Sequence, residues 1–174
     1  MIPILLALAF IAIILIAVVA GQPCEFTVSR SLKISAPPEK IFPHVNDLHK
    51  WEDWSPWAKL DPNSKVTFSG PDAGVGEGMR WEGNSKIGVG KMTIIDSQPN
   101  SVIRLRLDFE KPMLATNTAE FSFLPDDRQT LVTWAMACKN SLGGKIFGLF
   151  CNFEKMIGEK YEEGLANLKS VAEK

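Results

Sequence analysis

The chain has 174 residues, with 19 Lys and Arg against 20 Asp and Glu, a net charge of -1 and 45% hydrophobic residues. That balance excludes a general electrostatic attraction to nucleic acid or to a strongly charged macromolecule. Its three scattered cysteines, Cys24, Cys138 and Cys151, form no CxxC motif and no disulfide framework, which leaves buried free thiols or a single Cys138–Cys151 bridge.

Residues 2–20 read IPILLALAFIAIILIAVVA, with neither a charge nor a hydrogen-bonding side chain. At ~1.5 Å per residue such a helix matches a hydrocarbon core of ~30 Å. The expectation is a transmembrane anchor over residues 1–21, tethering a single-pass membrane protein through residues 2–20. A signal peptide fits less well, because no basic n-region precedes the run. A buried helix of this length is rarely apolar on every face. Arg30, Lys33 and Lys40 come after the run, and the positive-inside rule places the remainder of the chain on the cytoplasmic side. Residues 22–174 then form one domain, large enough to bury about 70% of its unfolded surface.

CEFTVSRSLKIS alternates as a strand, with a phase slip expected near Ser29 to Ser31. In APPEK, Pro37 and Pro38 suit a turn and a helix start. Ile41, Phe42, Val45 and Leu48 then recur at helical spacing, and Pro56 closes that segment. Trp51, Trp54 and Trp57 fall three apart, with Trp51 and Trp54 on one helix face and Trp57 past the Ser55-Pro56 break. A short strand at Lys65 to Ser69 lies in a turn-rich stretch, and from there the period is two. GMRWEGN and IGVGKMTIID read as strands. VIRLRLDFE sets Ile103, Leu105, Leu107 and Phe109 on a dry face and Arg104, Arg106, Asp108 and Glu110 on a wet one. ATNTAEFSFLP and QTLVTWAMAC complete an antiparallel run. Ile146, Phe150, Phe153, Ile157, Tyr161, Leu165, Leu168 and Ala172 then stripe one long helix, the only element large enough to cover the dry face.

The stretches ISAPPEKIFPHVNDLHKWEDWSPW, GPDAGVGEGMRWEGN, GVGKMTI, LDFEKPMLATNTAEFSF and VTWAM resemble the START-like superfamily, in its SRPBCC or polyketide cyclase/dehydratase-like branch. The resemblance runs over about residues 25–172. It implies an α+β helix-grip fold of the START/Bet v 1-like kind. A curved antiparallel sheet of about seven strands surrounds the C-terminal helix, here preceded by the membrane helix. It also implies an elongated cavity for an apolar molecule.

The candidate ligand-binding residues are Trp51, Trp54, Trp81, Leu105, Leu107, Asn117, Phe121, Trp134, Phe153 and Tyr161. The tryptophans read either as a plug at one end of the sheet and helix sandwich or as the rim of the cavity. Asn117, alone on a dry face, needs partners or serves as a polar handle for a ligand. Gly88, Gly90, Ala115 and Ala119 leave volume open or serve sheet curvature. Glu82 and Glu120 belong to wet faces. GPDAGVGEG matches no phosphate-binding pattern. His44 and His49, without a third histidine or a nearby cysteine, make no zinc pattern, and His49 reads as a surface residue.

No nucleophile, base and orienter constellation emerges, so no catalytic residue, metal or cofactor is nominated. The expected function is binding of a small hydrophobic ligand (lipid, quinone or polyketide-like) at a membrane. A cyclase/dehydratase or hydrolase-like enzyme, and an interaction module with a filled core, remain the alternatives.

Overall fold

A computed structural model describes residues 14, 16–21, 25–139, 145 and 152–174. Seven strands form one antiparallel sheet: β1 (Glu25–Ile34), β2 (Lys65–Ser69), β3 (Gly78–Glu82), β4 (Val89–Gln98), β5 (Val102–Lys111), β6 (Ala115–Asp126) and β7 (Gln129–Lys139). Their spatial order is β1-β7-β6-β5-β4-β3-β2, so consecutive hairpins build the sheet from β2 to β7 and β1 closes it beside β7. Between β1 and β2 lie α1 (Pro38–Asn46), a 3-10 turn (Leu48–Lys50) and α2 (Trp51–Trp54); α3 (Phe153–Ala172) ends the chain. This is the expected α+β helix-grip fold with seven strands and a long C-terminal helix.

The membrane helix is the part that needs correction. Among the described residues no helix is long and apolar enough to cross a membrane. Of the apolar run only residues 14 and 16–20 are described. The remainder of the run lies outside the described residues. The expected anchor through residues 2–20, the single-pass localisation and the membrane as a partner are corrected by this: no membrane-crossing helix is found among the described residues.

One smaller expectation is also revised. β1 has no phase slip: its ten residues pair without interruption from Glu25↔Lys139 to Ile34↔Thr130. Phe26, Val28, Arg30, Leu32 and Ile34 thus share the dry face, and Arg30 stands where an apolar residue is expected. Its guanidinium reaches Glu154 at 2.8 Å and Glu162 at 2.6 Å on α3. Gly158 makes this possible, since a Cβ there would collide with the Arg30 guanidinium. Cys138 is a free, buried thiol whose pKa burial pushes up to about 11; Cys151 lies outside the described residues, as does the start of the apolar stripe at Ile146 and Phe150.

Helix α3 is capped by Asn152, whose side chain accepts the Lys155 N–H at 3.0 Å. Its buried residues, Gly158, Tyr161, Gly164, Leu165, Leu168 and Ala172, recur at spacings of three and four. This stripe packs chiefly on β1, then on α2, α1 and β7. Gly164 lets Trp134 and Pro56 approach the helix backbone closely. On the wet face, Arg104 bridges Asp96 and Glu120, and Arg80 bridges Glu82 and Glu110.

Candidate functional site

Strand register arranges the dry face into rows that run across the sheet. One row joins Ile94, Leu105, Ala119 and Met136 with Val28; all are buried. Leu105 is 0% exposed. The next row toward one end joins Phe68, Met79, Met92, Leu107 and Asn117. Beyond it stand Val66, Trp81, Gly90, Phe109 and Ala115. In these last two rows most side chains are half-buried, and Val66 and Phe68 are exposed. The apolar face therefore grades from sealed to open along the strands.

The sealed half holds most of the expected site residues. Trp51, Trp54, Phe121, Trp134 and Tyr161 are all buried in one aromatic cluster. Trp134 lies at its centre. Tyr161 of α3 stacks on it at 3.9 Å with rings 8° apart, and Phe121 stacks at 4.7 Å. Trp51, Trp54 and Trp57 meet Trp134 edge-on at 6.0, 5.6 and 5.6 Å. The indoles are oriented by backbone acceptors: Trp51 Nε1 donates to the Val45 carbonyl at 3.0 Å and Trp54 Nε1 to the His44 carbonyl at 2.9 Å. Asn167 of α3 donates to the Trp54 carbonyl at 3.1 Å, tying helix to plug. Burial also raises the Tyr161 phenol far above its ordinary pKa. These aromatics fill the space between sheet and helix; they do not stand at its rim.

The open half contains Trp81, Leu107 and Asn117, while Phe153 sits half-buried at the first turn of α3. Trp81 packs edge-on against Phe109 at 5.8 Å and donates to the Ile87 carbonyl at 3.0 Å. Its indole lies directly over Gly90, so this glycine leaves room for a ring of the protein itself and not for open volume. Gly88 has φ +68° and a Cβ there would strike the Lys111 carbonyl, which is a backbone requirement of the β4 start. The Asn117 Oδ1 is buried without a hydrogen-bond partner, as is Trp134 Nε1. A buried amide oxygen left unpaired costs ~1–3 kcal/mol, so it marks a place where a donor is wanted. A separate surface depression is lined by Lys33, Asp126, Asp127, Arg128 and Gln129 at the β6–β7 turn. That charged lining does not suit an apolar molecule.

A third cluster was not anticipated from the sequence. Glu77 precedes β3 and is 0% exposed. Its Oε1 accepts the Leu48 N–H at 2.9 Å and lies 3.1 Å from His49 Nδ1; its Oε2 has no partner. Asp47 Oδ1 accepts the His49 N–H at 3.0 Å and lies 3.3 Å from the same Nδ1. The His49 imidazole stacks on Phe68 at 3.8 Å, which puts the cluster on the border between the two halves. Burial raises the Glu77 pKa; the Leu48 N–H opposes that, and the Asp47 charge adds to it. One signal was available: Glu77 shares the parity of Met79 and Trp81, which places a carboxylate on the dry face. Its partner on the α1–α2 segment could not be read from spacing. His49, read as a surface residue, is half exposed and held by these contacts. His44 Nδ1 is also buried without a partner, and burial lowers its pKa.

Residues 25–173 match the protein family described as polyketide cyclase / dehydrase and lipid transport. No curated protein matches the sequence. Among solved structures, protein CV1439 from Chromobacterium violaceum is similar at 15% identity and a TM-score of 0.59, over 88% of this chain and 99% of that one. The Aha1 dimer from Colwellia psychrerythraea is similar at 18% identity and a TM-score of 0.61, over 84% of this chain and 96% of that one. The di-domain ARO/CYC BexL from the BE-7585A biosynthetic pathway is similar at 12% identity and a TM-score of 0.65, over 91% of this chain and 53% of that one. At these identities the likeness is one of fold.

Proposed function

Because the chain belongs to the polyketide cyclase / dehydrase and lipid transport family, we propose that it binds a small hydrophobic molecule of polyketide or lipid character in the open half of the grip. The observation that carries this reading is the pair of partly exposed apolar rows, the inner of which ends on the unpartnered Asn117 oxygen. Leu107, Phe109, Met79 and Trp81 offer apolar and ring surface, and the amide oxygen selects a ligand carrying one hydroxyl or amide donor. Titration of the full chain with a naphthol, followed by tryptophan emission, tests it. Trp81→Phe should remove most of the ligand-induced change. Asn117→Leu should weaken binding about fivefold or more, the worth of one hydrogen bond of ~1 kcal/mol. Binding that neither substitution affects overturns the proposal.

Cyclisation or dehydration of the bound molecule is the second reading. Glu77 and His49 favour it, because they set a buried carboxylate and an imidazole beside Phe68 on the border of the same apolar surface. Incubation of the protein with a reduced polyketide analogue, followed by mass analysis, separates the readings. Loss of one water, or an isomer of equal mass that separates from the analogue on chromatography, supports turnover, and recovery of the unchanged analogue supports binding alone.

A further inference from the structure

We propose that Asp47, His49 and Glu77 form a binding site for a first-row divalent cation of the Zn2+, Co2+ or Mn2+ kind. His49 Nδ1 lies 3.1 Å from Glu77 Oε1 and 3.3 Å from Asp47 Oδ1, and one ligand atom from each residue falls within 4.8 Å of the others. Two donors on one cation at ~2.0–2.2 Å stand about 2.9–3.5 Å apart at octahedral or tetrahedral angles. The two imidazole–carboxylate separations therefore need little adjustment to receive an ion.

Protons alone leave this cluster short of donors. Nδ1 is flanked by two carboxylate oxygens at nearly equal distance, and a single N–H points at only one of them. Glu77 is fully buried, and its Oε2 has no donor at all. A cation held in the bite of Glu77 engages both of its oxygens, takes the lone pair of Nδ1 and draws in Asp47 Oδ1. Lys50 Nζ lies 3.3 Å from the other Asp47 oxygen, Oδ2, and leaves Oδ1 facing the imidazole. Two carboxylates and one ammonium leave a net charge of -1 beside the imidazole.

The ligands are also held before any ion arrives. Asp47 is fixed by the His49 N–H, Glu77 by the Leu48 N–H, and the imidazole plane by Phe68. One imidazole with two carboxylates suits Zn2+, Co2+ or Mn2+; the all-oxygen cations Ca2+ and Mg2+ gain little from the nitrogen. His49 is 47% exposed, so the remaining coordination positions open to water. Any role of the ion toward a bound molecule rests on the function proposed above. Cation binding itself does not, and its test needs no such molecule.

The test is calorimetric titration of the untagged, metal-stripped full chain with Zn2+, with Co2+ absorption in parallel and Ca2+ as the comparison. The expected result is one Zn2+ per chain, Co2+ bands that report nitrogen ligation, and weaker Ca2+ binding. His49→Ala and Glu77→Gln should each weaken Zn2+ at least about tenfold. His44→Gln, at the other histidine, should leave it unchanged. His49 is half exposed, so its substitution leaves the fold in place, as circular dichroism checks. Absence of Zn2+ binding at millimolar concentration overturns the proposal, and so does Zn2+ binding that survives His49→Ala.

Discussion

The aromatic half and the open half of the dry face share strands β4, β5 and β6, yet they are built for different ends. In the aromatic half, Trp51, Trp54, Phe121, Trp134 and Tyr161 are buried and locked ring against ring, with α3 laid over them. In the open half, Leu107, Phe109, Trp81 and Met79 present similar chemistry but remain half-buried. α3 rests on β1 and β7, the opposite side of the sheet from β2 and β3. Apolar surface acts as core where a second layer covers it, and as a recognition surface where the cover stops. The two halves should therefore respond differently to the same kind of substitution.

The largest contrast is expected at the plug. Trp54→Ala should destabilise the protein by about 3–5 kcal/mol in urea unfolding, because it removes a fully buried indole from the Trp51, Phe121 and Trp134 contacts. A loss below ~1 kcal/mol would break the distinction between the halves.

A paired truncation on one strand sharpens it. Leu105 and Leu107 lie two residues apart on β5 and face the same way, but Leu105 is 0% exposed and Leu107 is half-buried. Leu105→Ala should cost ~2–5 kcal/mol, and Leu107→Ala less than half of that, since part of its surface is already in water. Equal costs would mean that the open half is as tightly packed as the other.

The smallest effect is a pH dependence at the border. Burial raises the Glu77 pKa in the folded state above its ordinary value of 4.5. The folded state therefore holds this proton more tightly than the unfolded chain does. The resulting stabilisation is full below the ordinary carboxylate pKa and is lost as pH rises toward the raised one. A metal-free wild type should lose stability over that window at no more than about 1.4 kcal/mol per pH unit from this group. Glu77→Gln should flatten this contribution, as urea midpoints measured across the window would record. An unchanged slope would remove Glu77 as its source.

Much of this arrangement was legible in the chain. Alternation in VIRLRLDFE assigned Leu105 and Leu107 to the dry face and Arg104 to the wet one, because successive strand side chains point to opposite faces whatever surrounds them. The stripe Tyr161, Leu165 and Leu168 identified the helix that grips the sheet by the same local logic. Spacing placed Trp51 and Trp54 on one helix face, but could not say whether that face meets core or ligand.

What only the tertiary structure decided depends on partners distant in sequence. Arg30 sits on the dry face because Glu154 and Glu162 arrive from α3 and Gly158 yields the space. No periodicity of β1 predicts that, so a strand that runs unbroken looked interrupted. Glu77 is buried next to His49 because the α1–α2 segment folds back onto the start of β3. Local patterns specify which way a side chain points, since backbone geometry sets them within a few residues. What that side chain meets is settled by long-range packing, and both the open apolar half and the Asp47, His49 and Glu77 cluster exist only at that level.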